Sequence, residues 1–287
     1  MFIKDSSYPK RLLNCFDPPT LLFYRGDANL NESRTVSIIG TRSFSEYGKQ
    51  LTDQLVSSLK GKNILVLSGL AFGIDALAHR NCIKNNIDTV GVLAHGLDTI
   101  YPSQHSSLAK EMIKSGGGVL TEFPSNTKPD RHNFPSRNRI VAGMSDATIV
   151  IESGVKGGSM VTAELANGYN KDVFAFPGRI YDSKSGGCNL LIKNNKAVLL
   201  TEPGDLLQLM GWNEESLPKR KQQRELFLSL SSEEQKIVEL LAEKELAEID
   251  ELNQLAGLSV ATVAAALLNL ELQNIVGSLP GKRYKLL

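Results

Sequence analysis

Between residues 35 and 212 the chain alternates two hydrophobic rhythms. Short apolar runs rich in Val, Ile, Thr and Phe fall at 37–39, 64–67, 89–94, 118–121, 148–151, 173–176 and 197–200. Between them lie stretches whose apolar residues recur every three or four positions, at 46–59, 74–85, 106–115, 159–169 and 189–194. Short buried-strand runs separated by amphipathic helices predict βαβ units, hence a mostly parallel sheet covered on both faces. The fold class expected is α/β, a doubly wound, Rossmann-like sheet. Such sheets bind ligands beyond the carboxyl ends of their strands, at the point where strand order reverses.

The flanks break this rhythm. Residues 1–34, with Pro18 and Pro19 adjacent, predict an extended segment packed along the sheet domain rather than a domain of their own. The 35–212 domain is followed by a stretch at 213–228 that loses the apolar pattern and is basic from Lys219 to Arg224, as expected of a linker. Over 229–287 the pattern predicts three helices and a hairpin. Ser232 with Glu233 and Glu234 opens the first helix, Gly257 closes the second, and the third spans 259–273. A turn at Pro280-Gly281 joins two final strands. That order is a small C-terminal winged-helix domain.

Composition narrows the functional classes. The apolar fraction of 41% and charged fraction of 22% are those of an ordinary globular protein. No apolar run is long enough to span a bilayer, and no membrane partner is expected. Cys15, Cys82 and Cys188 are scattered and the four histidines lack ligand spacing, so no metal is expected and a reducing cytoplasm suits the chain. The formal charge of +1 conceals an asymmetry: residues 226–287 carry nine acids against five bases, leaving +5 on residues 1–225. A polyanion would meet the first part of the chain.

Candidate chemistry concentrates in the strand-to-helix turns. Gly40-Thr41-Arg42 ends the first strand run, where backbone N–H groups and the helix dipole suit phosphate and a guanidinium adds a bidentate fork. The tripeptide alone fits equally a tight turn whose arginine pairs with a local carboxylate. The glycines of G-x-G-x-x-G are missing and no acid ends the second strand, which argues against NAD or FAD, and no cofactor is expected. The turn SGLAFGID at 68–75 has Gly69 and Gly73, which allow close backbone approach; by itself it reads as packing. The run KPDRHNFPSRNR at 128–139 sets Lys128, Arg131, Arg137 and Arg139 around Phe134, with Asn138 between the last two arginines and only Asp130 opposing them. Cations along a sugar–phosphate backbone and a ring on which a base stacks bind single strands without reading sequence. The expected setting is a loop on the ligand edge of the sheet. A third glycine-rich turn, GVKGGSMVTAE at 154–164, offers Lys156, Gly158 and Ser159, the last as N-cap, as another phosphate cradle.

Taken in order, GTR at 40–42, SGLAFGID at 68–75, HGLDTIYP at 95–102, FPSRNRIVAGMS at 134–145, GGSMVTAE at 157–164 and PG at 177–178 resemble the successive motifs of the DprA/Smf family, DNA-processing protein A. The resemblance covers residues 8–212, and the tail is similar to that family's winged helix. Many members begin with a small helical domain, whereas this sequence is expected to start almost at the linker that precedes the sheet. The resemblance implies a cytoplasmic, sequence-independent single-stranded DNA binding protein of natural transformation. It would protect incoming DNA and help load the recombinase RecA, typically as a homodimer. It places the family's phosphate-gripping motif on Gly40, Thr41 and Arg42, and its basic and base-stacking residues on Arg131 and Phe134. No catalytic residue is implied.

The competing class is an enzyme. GGSMVTAE is also similar to the signature of LOG-type nucleotide phosphoribohydrolases, in which a glutamate at the Glu164 position serves hydrolysis, but Ser159-Met160-Val161 stand where that signature has Gly-Thr. The winged-helix tail is expected to contact protein rather than read DNA. Its third helix has no lysine or arginine, and the surrounding domain is acidic.

Overall fold

The computed structural model describes residues 1–212, 230–244, 246–273, 275–279 and 283–286, and divides the chain into two compact units, Met1–Asn213 and Glu214–Leu287. The basic linker expected at 213–228 and the turn at Pro280-Gly281 lie outside the described residues.

The first unit is built on eight strands: β1 (Phe23–Gly26), β2 (Arg34–Ile39), β3 (Ile64–Ser68), β4 (Thr89–Val92), β5 (Gly118–Thr121), β6 (Ala147–Val150), β7 (Asp172–Ala175) and β8 (Val198–Leu199). Their order is β1-β5-β4-β3-β2-β6-β7-β8, and every pairing is parallel except β1 with β5. Strand order therefore runs outward from β2 through β5, then returns to the other side of β2 at β6. The reversal places the switch point between β2 and β6.

Side-chain alternation explains the two layers. Val36, Ile38, Val66 and Ile149 project to one face, where they pack with α1 (Glu46–Ser58) and α2 (Ile74–Lys84). Their neighbours Ile39, Leu67, Val92 and Val150 project to the other, against α4 (Asn133–Gly143), α5 (Gly158–Gly168) and α6 (Gly186–Lys193). The helix α3 (Ser106–Lys114) covers Leu93 and Val119 near one sheet edge, and the short α7 (Asp205–Leu209) packs with the first face. Strands buried on both faces read as near-continuous apolar runs, with buried hydroxyls such as Ser37 and Thr148 bonded to each other at 2.8 Å, which is why they stand out in sequence.

Two elements differ from expectation. The N-terminal segment is not merely extended: it forms a 3-10 helix at Lys10–Asn14 and contributes β1, antiparallel to β5. Arg11 fixes it by an ion pair to Asp146 at 2.7 Å, just before β6. The run at 128–139 is not all loop, because α4 begins at Asn133 and carries Phe134, Arg137, Asn138 and Arg139 on a helix. Pro135 sits in the first turn, where a missing N–H costs nothing.

The second unit has α8 (Ser232–Lys244), β9 (Ala247–Glu248), α9 (Ile249–Ala256), α10 (Val260–Leu272), β10 (Val276–Leu279) and β11 (Arg283–Leu286), with a sheet ordered β10-β11-β9. The cap of α8 is Ser231, not Ser232: Ser231 Oγ accepts from Glu234 N, and the Glu234 carboxylate accepts from Ser231 N, a reciprocal capping box. Gly257 closes α9 in the left-handed region, φ 60°. Val263, Leu267 and Leu270 of α10 enter the core, whereas Val260, Leu268 and Leu272 are exposed along one side of the helix. Among the described residues no single helix is long and apolar enough to cross a membrane.

Candidate nucleic-acid interface at the switch point

The end of β2 is held tightly. A Cβ on Gly40 would lie 2.6 Å from Ile74 Cγ1 and 3.0 Å from the Glu152 carbonyl, so only glycine passes between the start of α2 and the end of β6. Thr41 then spends both backbone groups on those neighbours, donating to Glu152 O at 2.7 Å and accepting from Ile74 N at 3.1 Å. Gly73, at φ +84°, lies against the same turn, where a Cβ would meet Thr41 O at 2.1 Å. With its backbone so braced, the turn projects Arg42 outward, and its Cζ rests 5.7 Å from the centre of the Phe134 ring.

The phosphate seat expected after Gly40 is occupied by the protein itself. Ser45 caps α1, accepting from Gly48 N at 3.1 Å, and its own N–H donates to Glu152 Oε2 at 2.9 Å while its hydroxyl donates to Glu152 Oε1. A Cβ on Gly48 would stand 2.3 Å from Glu152 Oε2, so glycine there makes room for the carboxylate. Glu152 is buried at the end of β6, 107 residues from Ser45. An internal anion thus neutralises the positive end of α1.

The open helix start is that of α5. Gly157 precedes it without a side-chain cap, and a Cβ on Gly158 would meet nothing within 4 Å. Ser159 is not the N-cap: the helix has already begun at Gly158, and Ser159 is buried with its hydroxyl donating to Ser153 Oγ at 2.7 Å. Asn138 of α4 reaches across to Gly158 O at 3.5 Å. Lys156 is exposed on the preceding loop, outside the cleft lining.

These parts surround a cleft of about 520 Å³ at the switch point, lined by Gly40, Thr41 and Arg42, by Gly69 and Asp75, by Arg131, Phe134 and Asn138, and by Gly158 and Ser159. Helical spacing aligns Phe134 and Asn138 of α4 along its wall, and Arg131 joins them from the turn just before the helix. The other two arginines are committed to partners within the protein. Arg137, only 5% exposed, donates through Nη1 to the carbonyls of Gly69 at 2.5 Å and Val92 at 2.7 Å. A Cβ on Gly69 would lie 2.1 Å from that nitrogen, so glycine at this point of the cleft wall makes room for Arg137. Beside it Asp75 accepts from Gly69 N and Ala71 N. Burial pushes the Asp75 carboxyl up and Arg137 pulls it back; burial likewise pushes the Arg137 guanidinium down. Arg139 bonds to the Asp17 carbonyl and to Glu122, tying down the N-terminal segment away from the cleft. The expected basic run therefore contributes Arg131 and the buried Arg137 to the cleft lining, Arg137 while bracing the carbonyls of Gly69 and Val92, and Arg139 is structural.

Glu152 and Asp75 were missed by sequence reasoning. An acid ending a buried strand, as in TIVIES at 148–153, was the available signal for the first.

A doubly wound sheet with a cation, a ring and an open helix start at its switch point is the arrangement with which α/β proteins hold anionic ligands. The sequence profile of the family described as DNA recombination-mediator protein A matches residues 1–211, and that of the DprA winged helix domain matches residues 222–282. The chain belongs to this family. Protein Smf of Escherichia coli is 35% identical over 97% of this chain and 75% of its own length; DNA processing protein DprA of Bacillus subtilis is 40% identical over 70% and 68%. Among solved structures, DNA processing protein A from Streptococcus pneumoniae matches with a TM-score of 0.68 at 36% identity, covering 72% of each chain. The Helicobacter pylori protein, whose structure was described for its single-stranded DNA binding mode, matches with a TM-score of 0.66 at 31% identity, covering 72% of this chain and 94% of that one.

Proposed function

We propose that this chain binds single-stranded DNA without reading its sequence, through the switch-point cleft of the first unit. The observation that carries the reading is the Arg42–Phe134 pair at the mouth, beside the uncapped start of α5. Arg42 and Arg131 take phosphates, the Gly158 and Ser159 backbone N–H groups at the start of α5 are offered to another, Lys156 adds positive charge nearby, and Phe134 stacks a base. Gly40 and Thr41 position Arg42, and Asn138 spans α4 and α5. The single-stranded DNA mode described for the Helicobacter pylori relative supports the assignment. Action in natural transformation, as a homodimer that delivers a protected strand to RecA in the cytoplasm, is the family role that the resemblance extends to this chain. The second unit, acidic and with a cation-free α10, serves protein contact in this reading.

The test is a salt-titrated binding assay with a single strand and its duplex. The single strand should bind more tightly, with affinity falling as salt rises; equal or tighter duplex binding overturns the proposal.

The hydrolase reading finds little support. Glu164 is half-exposed on α5, pairs with Lys196 at 2.8 Å, and is not part of the cleft wall. Nucleoside monophosphates should release no free base above a Glu164→Ala control, and glutamate-dependent release would reinstate the enzyme.

A further inference from the structure

The sheet edge that holds Phe134 carries a second aromatic side chain. Tyr101, in the loop after β4, is 51% exposed, and its ring centre lies 6.2 Å from that of Phe134 at an interplanar angle of 52°. Isolated exposed rings are common on protein surfaces and call for no explanation. This one touches the ring assigned to base stacking, and it is held in place. Its backbone N–H donates to Nε2 of the buried His95 at 3.1 Å, and His95 Nδ1 donates to the Gly96 carbonyl at 2.9 Å. A buried imidazole bonded through both ring nitrogens thus anchors the loop under an exposed ring.

We propose that Tyr101 is a second base-stacking platform, so that the strand crosses from Phe134 toward the β4 side of the sheet. This rests on the single-strand reading above. The two rings meet at an angle and do not form the parallel walls of a slot, so they do not sandwich one base. They offer separate faces to two bases. Their 6.2 Å spacing exceeds the roughly 3.4 Å per nucleotide of a stacked strand, so neighbouring bases reach both rings only when unstacked from one another. A duplex keeps its bases at the shorter spacing, and the ring pair therefore adds to the preference for single strands. Arg42, lying over Phe134, places a cation beside the phosphate that follows the first stacked base. Tyrosine suits the outer position, because its face is apolar while its hydroxyl can stay in water at the rim.

The experiment places the fluorescent base 2-aminopurine singly at each position of short thymidine oligonucleotides and measures both quenching and affinity. The wild-type protein should quench two neighbouring positions. Tyr101→Ala should lose quenching at one of them and weaken binding roughly 5- to 10-fold with an unchanged salt slope. Tyr101→Leu, which keeps an apolar side chain against Phe134 without an aromatic face, should do the same. Tyr101→Phe should remain within about 2-fold of wild type. Melting temperatures report that each variant is folded. If Tyr101→Leu binds and quenches like wild type, or if Tyr101→Phe loses as much as Tyr101→Ala, the platform is wrong while the single-strand reading stands. If the wild-type protein does not bind the single strands, both fall.

Discussion

Replacing Glu152 with glutamine keeps the size of the side chain but removes the charge from the start of α1. One oxygen can still accept from Ser45 N. The new amide faces Ser45 Oγ, which must now accept its hydrogen while also accepting from Gly48 N. Hydrogen bonds to a charged group contribute about 1.5–3 kcal/mol, against about 0.5–1.5 for neutral ones. The lost interaction with the helix dipole adds about 0.3–1 kcal/mol. Relief from burying a carboxylate offsets part of this. The net expected cost is about 2 kcal/mol, which for a unit of this size lowers the melting temperature by roughly 4–8 °C. Thermal and urea unfolding of the full chain, followed on the first unit's transition, measures it. A companion variant sharpens the test: Gly48→Ala puts a Cβ where the carboxylate lies, so its cost and that of Glu152→Gln should fail to add. Stability within 0.5 kcal/mol of wild type for Glu152→Gln, or full additivity of the pair, would refute the idea that this carboxylate secures α1.

Other outcomes follow from the same contacts. Arg42→Ala should weaken single-strand binding and reduce the slope of log affinity against log salt by about 0.7, whereas Phe134→Ala should weaken binding with the slope intact; fluorescence anisotropy across a salt series separates the two, and identical slopes for all three proteins would remove Arg42 from the phosphate path. Burial, with the nearby charges of His105 and Arg137, pushes the His79 imidazole down to about 3 from 6.5. Below pH 6.5 the unfolded chain takes up a proton that the native site refuses, so this stabilisation is complete above pH 6.5 and falls by roughly 1.4 kcal/mol per pH unit as acid is added. His79→Gln should flatten the stability profile between those values in urea unfolding, and an unchanged slope counts against it. A chain ending after Glu225 should keep its single-strand affinity within a few-fold, and abolished binding would show that the second unit takes part.

What could be read from sequence was whatever depended on neighbours in sequence. Runs such as 36–39 and 148–151 announce strands buried on both faces, and their alternation with amphipathic stretches leads directly to the switch point. Gly40-Thr41-Arg42 could be placed there because a turn directly follows its strand. The helix α4 was hidden by composition: Pro135, Ser136 and two arginines precede its first buried apolar residues, Ile140 and Val141. The roles of the cations were set by distant partners. Arg137 answers to carbonyls 68 and 45 residues away, and Arg139 to Asp17, 122 residues away. The same holds for Glu152, whose partner Ser45 is in a different βα unit. A sequence shows that a charge is present; only the fold decides whether it faces solvent or a buried carbonyl.

The Glu152 contacts also bear on how fast a ligand can be captured. In a doubly wound sheet the helices leave opposite faces at the switch point, and the gap between the two central strands is where such a sheet would give. Here one residue at the end of β6 grips the chain leaving β2 twice, by its carbonyl at Thr41 and by its carboxylate at Ser45. The gap is latched before any ligand arrives. If the proposed strand binds here, its association should need no opening of this gap, and its rate should follow diffusion and the positive charge of Arg42 and Arg131. In the proposed single-strand complex, salt should act chiefly on the rate of arrival and the aromatic rings on the time of residence.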